Sequence, residues 1–538
     1  MAEEIGVKIV DAALENKAAP LIDKLVGDQV ASKLAAQDPT LWGTDAESES
    51  AIRLSWTTLH KSSRPLIGEI EALREELRAE GVDRVVLAGM GGSSLAPEVI
   101  ANTEGVSLTV LDTTDPGQVA DALAGDLQRT VLVVSSKSGG TVETDSHRRI
   151  FAKAFTEAGI DAARRIVVVT DPGSPFSKLS EELGYRKTFL ADPNVGGRYS
   201  ALTAFGLVPS GLAGADVARL LDQAAGVAGA LGSDSADNPA VQLAAALSAA
   251  HETGAEKVVL ADTGSGIKGF ADWAEQLIAE STGKLGTGLL PVAVEGPGAP
   301  GFADAKSDAT PVAVGPAEGP AKISVTGSLG AQMLLWEFAT AIAGRLLGIN
   351  PFDQPDVETA KKAARSLLDN PDALKGGEEP STVDGSVEIF PSQGVSGEGS
   401  LVDVLRAFIA SAPEHGYLSV QAYLDRLDDA STALLRPEFA KRTGLQTTFG
   451  WGPRFLHSTG QYHKGGHQNG VFLQLTGAVE QDLEVPERPY TLGILQHAQA
   501  LGDGQVLAEH GRPVLRLHLT DRAAGLAEIM RAVQEVGE

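Results

Sequence analysis

Between residues 84 and 171 the chain repeats one local pattern. RVVLAG (84–89), LTVLD (108–112), TVLVVSS (130–136) and RIVVVTD (165–171) are short β-branched apolar runs. Each is followed by a turn rich in Gly, Ser, Asp or Pro, and then by a stretch with helical spacing of apolar residues. A continuous apolar run suits a strand buried on both faces, and a helix between successive strands makes those strands parallel. The pattern restricts this region to a parallel sheet covered by helices on both sides. It recurs in KVVLAD (257–262), LLPVAV (289–294) and AKISV (321–325).

Other segments frame these runs. Residues 1–75 read as helical, and the apolar spacing from Ala51 onward continues to a glycine stop at Gly81. The alternating region divides into two α/β units, expected at 76–215 and 216–375. Residues 376–399 are rich in Gly, Pro, Ser and Glu, which predicts a linker. Residues 400–538 return to alternation, with GYLSVQAYL, LQTTFG, VFLQLTG and VLRLHLT as strands. The predicted class is α/β: two doubly wound parallel-sheet domains, N-terminal helices and a C-terminal α/β domain.

Charge narrows the function. A formal charge of −27 argues against nucleic acid and anionic membranes, which are gripped by basic patches. Any anionic ligand then needs a local cluster of donors. The chain has no cysteine, which excludes disulfides, thiolate metal sites and a thiol nucleophile. MAEEIGVKIV has no basic segment ahead of an apolar core, so no signal peptide is expected. No apolar run reaches the length of about 18 residues that a membrane helix needs. A cytoplasmic enzyme is the expectation.

Five stretches carry chemistry. In SSKSGGTVET the hydroxyls of Ser136, Ser138 and Thr141, the glycine amides and the dipole of the following helix converge as they would on one anion, with Lys137 adding charge. The plain alternative is a Gly-rich turn with Ser/Thr caps. LAGMGGSSLAPEV places Gly91, Gly92 and Ser93 after the first strand. It fails the dinucleotide fingerprint because the third glycine position is Ser94, which disfavours a dehydrogenase. VGGRYS sets Arg198 at the mouth of an apolar helix. In DWAEQLIAESTGK, Gln276 and Glu280 are four apart on one helical face. INPFDQPDVETAKK brings Gln354 and Lys361 to a helix start. Taken singly, the last two read as solvated helix residues.

Together, GMGGSSLAPE, SSKSGGTVET, VGGRYS, AESTGK and INPFDQPDVE resemble the phosphoglucose isomerase family, built of two sugar-isomerase (SIS) domains, over about residues 84–362. WGPRFLHSTGQYHKGGH resembles the isomerase half of transaldolase–phosphoglucose isomerase fusions, with no transaldolase half in this sequence. The resemblance implies exchange of glucose 6-phosphate and fructose 6-phosphate through a cis-enediol(ate), a place in glycolysis and gluconeogenesis, and a homodimer. It implies that Gly92, Ser93, Ser136, Lys137, Ser138 and Thr141 bind the sugar phosphate. Gln276 and Gln354 would line the sugar, Glu280 would be the base, Arg198 would face the reacting carbons, and Lys361 would help ring opening. No metal and no cofactor are implied.

One departure stands out. The family has a ring-opening histidine between the Glu and FDQ motifs, and residues 285–353 contain no histidine. His463 and His457 are the candidates to replace it. A competing reading pairs His463 with His467 as metal ligands, against which Gly465 and Gly466 oppose the helix that this spacing needs. Two rival functions remain in view: a phosphosugar-binding SIS sensor without catalysis, and a bifunctional phosphoglucose/phosphomannose isomerase. A sensor would not need Arg198, Glu280 and Lys361 together.

Overall fold

The computed structural model describes residues 5–368 and 379–536, without the side chains of residues 357–361. Strand β1 (Gly6–Ile9) is followed by helices up to Ala79. A first sheet then forms from β2 (Arg84–Gly89), β3 (Thr109–Leu111), β4 (Thr130–Ser135), β5 (Ile166–Thr170) and β6 (Lys187–Leu190). Its order is β3-β2-β4-β5-β6 and every pairing is parallel. β4 and β5 are buried at every residue, as their near-continuous apolar content requires. The chain leaves β2 toward β3 on one side and passes to β4 on the other. That reversal opens a crevice beyond the carboxyl ends of β2 and β4. Gly89 pairs with Ser135 there, so the GMGGSS and SSKSGG loops leave the sheet side by side.

The second sheet comprises β7 (Lys257–Asp262), β8 (Leu290–Ala293), β9 (Ala309–Val314) and β10 (Ile323–Thr326), with β1 added at its edge. β1 runs antiparallel to β10; the other pairings are parallel. The N-terminal segment is therefore not wholly helical: GVKI is too short to show a period beside the long helices after it. The Phe270–Thr282 helix follows β7.

The third sheet has the order β11-β12-β16-β15-β13-β14. Its members are β11 (Thr382–Asp384), β12 (Val387–Pro391), β13 (Tyr417–Tyr423), β14 (Gln446–Trp451), β15 (Gly470–Gly477) and β16 (Val514–Leu519). β11 and β12 form a hairpin, and β12 runs antiparallel to β16. The stretch read as a linker thus holds two strands, of which β11 is the edge of the sheet. Its turn is Gly385–Ser386, with Gly385 at φ 59°, and V-D-G-S-V is a hairpin signal that the surrounding Gly/Ser/Glu composition concealed.

The C-terminal unit has its own core, and it also covers the other two sheets. Leu492, Leu495 and Ala498 share an apolar cluster with Val86, Leu132 and Val168 of the first sheet. Tyr417, Tyr462 and Phe472 share another with Val259, Leu290 and Val292 of the second. Gly283, at the end of the Phe270–Thr282 helix, allows the approach: a Cβ there would meet Tyr462 Cα at 2.5 Å.

A buried ionic clamp fixes the same docking. Arg454 donates to Glu98 Oε2 at 2.6 Å and to Asp112 Oδ2 at 2.8 Å, and Arg426 donates to Glu98 Oε1 at 2.8 Å. Burial pushes the Glu98 carboxyl upward, but Arg454 and Arg426 outweigh it and hold the group at about 2. A depressed carboxylate stabilises the fold above its ordinary value, and that contribution disappears as pH falls through the depressed one. The clamp is therefore complete above pH 4.5 and lost toward pH 2. Arg454→Met takes the side-chain donor from buried Asp112 and leaves Glu98 with Arg426 alone, and should cost about 3–5 kcal/mol. Urea denaturation at neutral pH measures this, and limited proteolysis should show the C-terminal unit released first.

Candidate active site

The two loops at the crevice are built from their own short bonds. Ser136 Oγ and Thr141 Oγ1 hydrogen-bond each other at 2.8 Å, and the Gly139 and Gly140 amides donate to Ser136 Oγ and Ser138 Oγ at 3.2 Å. Thr141 is the N-cap of the Val142–Glu157 helix but makes no side-chain capping bond, which leaves first-turn amides for a ligand. Lys137 Nζ reaches Asp171 Oδ2 at 2.5 Å and Pro193 O at 3.3 Å. Across from this loop, Gly92 allows the GMGGSS and VGGRYS turns to touch. A Cβ at Gly92 would lie 1.9 Å from Gly197 O, closer than any side chain tolerates. Ser93 stands beside it, buried.

Arg198 joins three of the motifs. Its Nε donates to Ser281 Oγ at 3.0 Å, and its Nη2 donates to Pro351 O and Asp353 O, each at 2.8 Å. Nη1 donates to Gln354 Oε1 at 2.9 Å and lies 3.5 Å from Glu280 Oε2. Gln276 Nε2 donates to Glu280 Oε2 at 3.4 Å and to His457 O at 2.9 Å, while Gln276 Oε1 is buried with no partner among the described residues.

These groups enclose a cavity of about 660 Å³ lined by Gly92, Ser93, Ser136, Lys137, Ser138, Thr141, Gln276, Glu280, Gln354 and His457, among others. The expectation for Arg198 changes in one respect. Its guanidinium is not among the lining groups; it lies behind Glu280 and Gln354 and orients both. The side chain of Lys361, on the Val357–Leu368 helix, lies outside the described residues.

The two histidine candidates separate. His457 lines the cavity and its Nε2 donates to Glu143 Oε1 at 3.0 Å. Gln499 Nε2 donates to the same oxygen at 2.7 Å. His463 is not at the site. It is buried among Tyr417, Phe455 and Phe472, with Nδ1 3.0 Å from the Tyr417 hydroxyl. Burial, then Lys464 and Arg512, hold its pKa well below the ordinary value. The metal pairing of His463 with His467 also fails, because His467 is exposed and engaged with Glu256 at 3.0 Å.

Sequence reasoning left out Glu143, Gln499, Lys464, Arg53 and Asp171, all of which line the cavity. Glu143 belongs to SSKSGGTVET, and its signal was an acid in the first turn of a helix aimed at an anion. Lys464 Nζ lies 2.5 Å from Asp503 Oδ1 in a buried pair. The arrangement can hold an anion at one end, present a carboxylate to atoms a few ångströms away, and offer the His457–Glu143 imidazole–carboxylate pair beside them.

The sequence model of the family described as phosphoglucose isomerase matches residues 67–288. A glucose-6-phosphate isomerase of Rubrobacter xylanophilus is 30% identical over 369 residues, covering 55% of this chain and 85% of the relative. A probable glucose-6-phosphate isomerase of Haloarcula marismortui is 29% identical over 342 residues, covering 53% and 78%. Among solved structures, a hypothetical protein of Thermus thermophilus superposes with TM-score 0.56 at 24% identity, over 68% of this chain and all of that one. A glucose-6-phosphate isomerase of Chlamydia trachomatis gives 0.54 at 20% identity, over 69% and 88%. At those identities the structures speak for the fold alone. The sequence relatives go further: with 30% identity across most of the Rubrobacter enzyme, this chain belongs to the phosphoglucose isomerase family.

Proposed function

We propose that the chain interconverts glucose 6-phosphate and fructose 6-phosphate. The observation that carries this reading is the position of Glu280: one cavity holds its carboxylate together with the serine-lined anion loop. The phosphate rests on Ser136, Ser138, Thr141, Ser93 and the amides beside them, with Lys137 at the rim. Ring opening moves a proton to O5 and takes one from O1, a role this reading gives to His457, which lines the cavity and is held by Glu143. In the open chain, Glu280 removes the proton from C2, charge passes to the oxygens of the enediolate, and the same carboxylate returns the proton at C1. Gln276 and Gln354 fix the hydroxyls. Arg198 fixes the base and contributes its positive charge from behind.

We place the reaction in the cytoplasm, where hexose phosphates are made and consumed. Among the described residues no helix is long and apolar enough to cross a membrane.

Glu280→Gln should leave sugar-phosphate affinity nearly intact while lowering turnover by about a hundredfold or more. Incubation with fructose 6-phosphate in D₂O, followed by NMR, should show no exchange of the transferred proton; retained exchange would remove Glu280 as the base. Lys137→Ala combined with Ser138→Ala should raise KM by about tenfold or more with a smaller loss of kcat. Steady-state kinetics checks it, and an unchanged KM refutes the anion-loop assignment.

A further inference from the structure

The lysine of the anion loop does not bring free charge to a phosphate. Lys137 Nζ is 2.5 Å from Asp171 Oδ2, and both residues line the cavity. The pair sums to zero, in a chain whose formal charge is −27. Asp171 Oδ1 is buried with no hydrogen-bond partner among the described residues. Burial raises the Asp171 carboxyl above its ordinary range, against the pull of Lys137 and Arg53. A sugar phosphate carries close to two negative charges at neutral pH, so this end of the cavity lacks a counter-charge.

Arg53 stands where that charge is needed. It belongs to the N-terminal segment, outside every motif read in the sequence. A bridge between Leu54 and Val195 pins its turn to the loop ahead of Arg198. Arg53 Nη1 donates to Pro193 O at 3.3 Å, the same carbonyl that Lys137 Nζ reaches at 3.3 Å. The two cations therefore flank one oxygen at the cavity wall. Arg53 Nε is bound to Glu49 Oε1 at 2.7 Å, Nη1 also leans on Ile52 O at 3.5 Å, and Nη2 makes no hydrogen bond among the described residues. Glu49 is one-third exposed, so water screens its effect on the guanidinium more than it screens Asp171 on Lys137. Arg365 also lines this cavity and lies near Gly139 and Gly140 of the anion loop, but it is exposed and makes no hydrogen bond or ion pair with Lys137 or Asp171 among the described residues.

We infer that Arg53 is a second phosphate-binding cation, which turns its free Nη2 edge to the substrate phosphate and supplies the charge that Asp171 withholds from Lys137. The inference rests on the isomerase reading for the identity of the phosphate ester. The plainer role for Arg53 is a staple between the N-terminal turn and the Pro193 loop, and the two roles differ in what they do to anion binding.

The test is calorimetric titration of the full chain with inorganic phosphate, beside steady-state kinetics with fructose 6-phosphate. Arg53→Ala should weaken phosphate about tenfold and raise KM much more than it lowers kcat. Arg53→Lys keeps one charge but loses the planar fork, so it should fall between the two; it also serves if the alanine variant does not fold. Asp171→Asn should act oppositely and tighten phosphate severalfold. Phosphate affinity unchanged in Arg53→Ala, or a fall in Tm alone, overturns the inference and leaves Arg53 a staple. Because phosphate binding is read without turnover, the isomerase reading fails separately, by absence of proton exchange in the wild type.

Discussion

The site depends on one buried cation. Arg198 is 3% exposed, and a guanidinium removed from water costs several kcal/mol unless its donors are met. Here they are met by a serine hydroxyl, two backbone carbonyls and the Gln354 amide oxygen, with the Glu280 carboxylate at 3.5 Å. Those acceptors come from the end of the Phe270–Thr282 helix and from the Pro351–Gln354 turn, which are distant in sequence. Any other arrangement of the three segments strands part of the fork. The same requirement that folds this corner therefore also sets the direction of the Glu280 carboxylate, which receives a second donor from Gln276.

The C-terminal unit completes what the two sheets begin. It brings His457, Gln499 and Lys464 to the cavity lining, with His457 and Gln499 bonded to Glu143 at the start of the Val142–Glu157 helix. It is held by apolar clusters on both sheets and by the Arg454–Glu98–Asp112 clamp. A wall fastened in this way behaves as fixed structure, and because it is covalently part of the chain, the imidazole arrives with no association entropy to overcome. Residues 285–353 hold no histidine, and topology brings one to the cavity from more than a hundred positions later, His457.

Much of this was legible in the sequence, for identifiable reasons. β4 and β5 are buried on both faces, so their apolar runs were unmistakable. The two loops at the crevice were readable as candidate anion loops because glycines, serines and a following helix stand together at a strand end. β9 was hidden by Pro311 and its alanines, and β6 is a short edge strand with half its residues partly exposed. The choice between His457 and His463 was out of reach, since six residues separate them and only packing tells which is sealed among aromatic rings and which faces the cavity. Arg53 and Asp171 were invisible for a related reason: each gains meaning only from the fold that sets it against Lys137.

Burial along the cavity varies in a way that suits the proposed chemistry. Ser138 and Gly140 are exposed and Lys137 is partly so, whereas Gln276 and Glu280 are buried and His457 is largely covered. A dianion is expensive to strip of water, and a rim site leaves part of its hydration in place while hydroxyls and amides supply the rest. Proton transfer at carbon gains from the opposite condition, because dipoles act more strongly where water is excluded. In the proposed reading, a phosphate near the partly exposed loop and a carbon chain reaching inward would divide these demands between the two ends of one substrate.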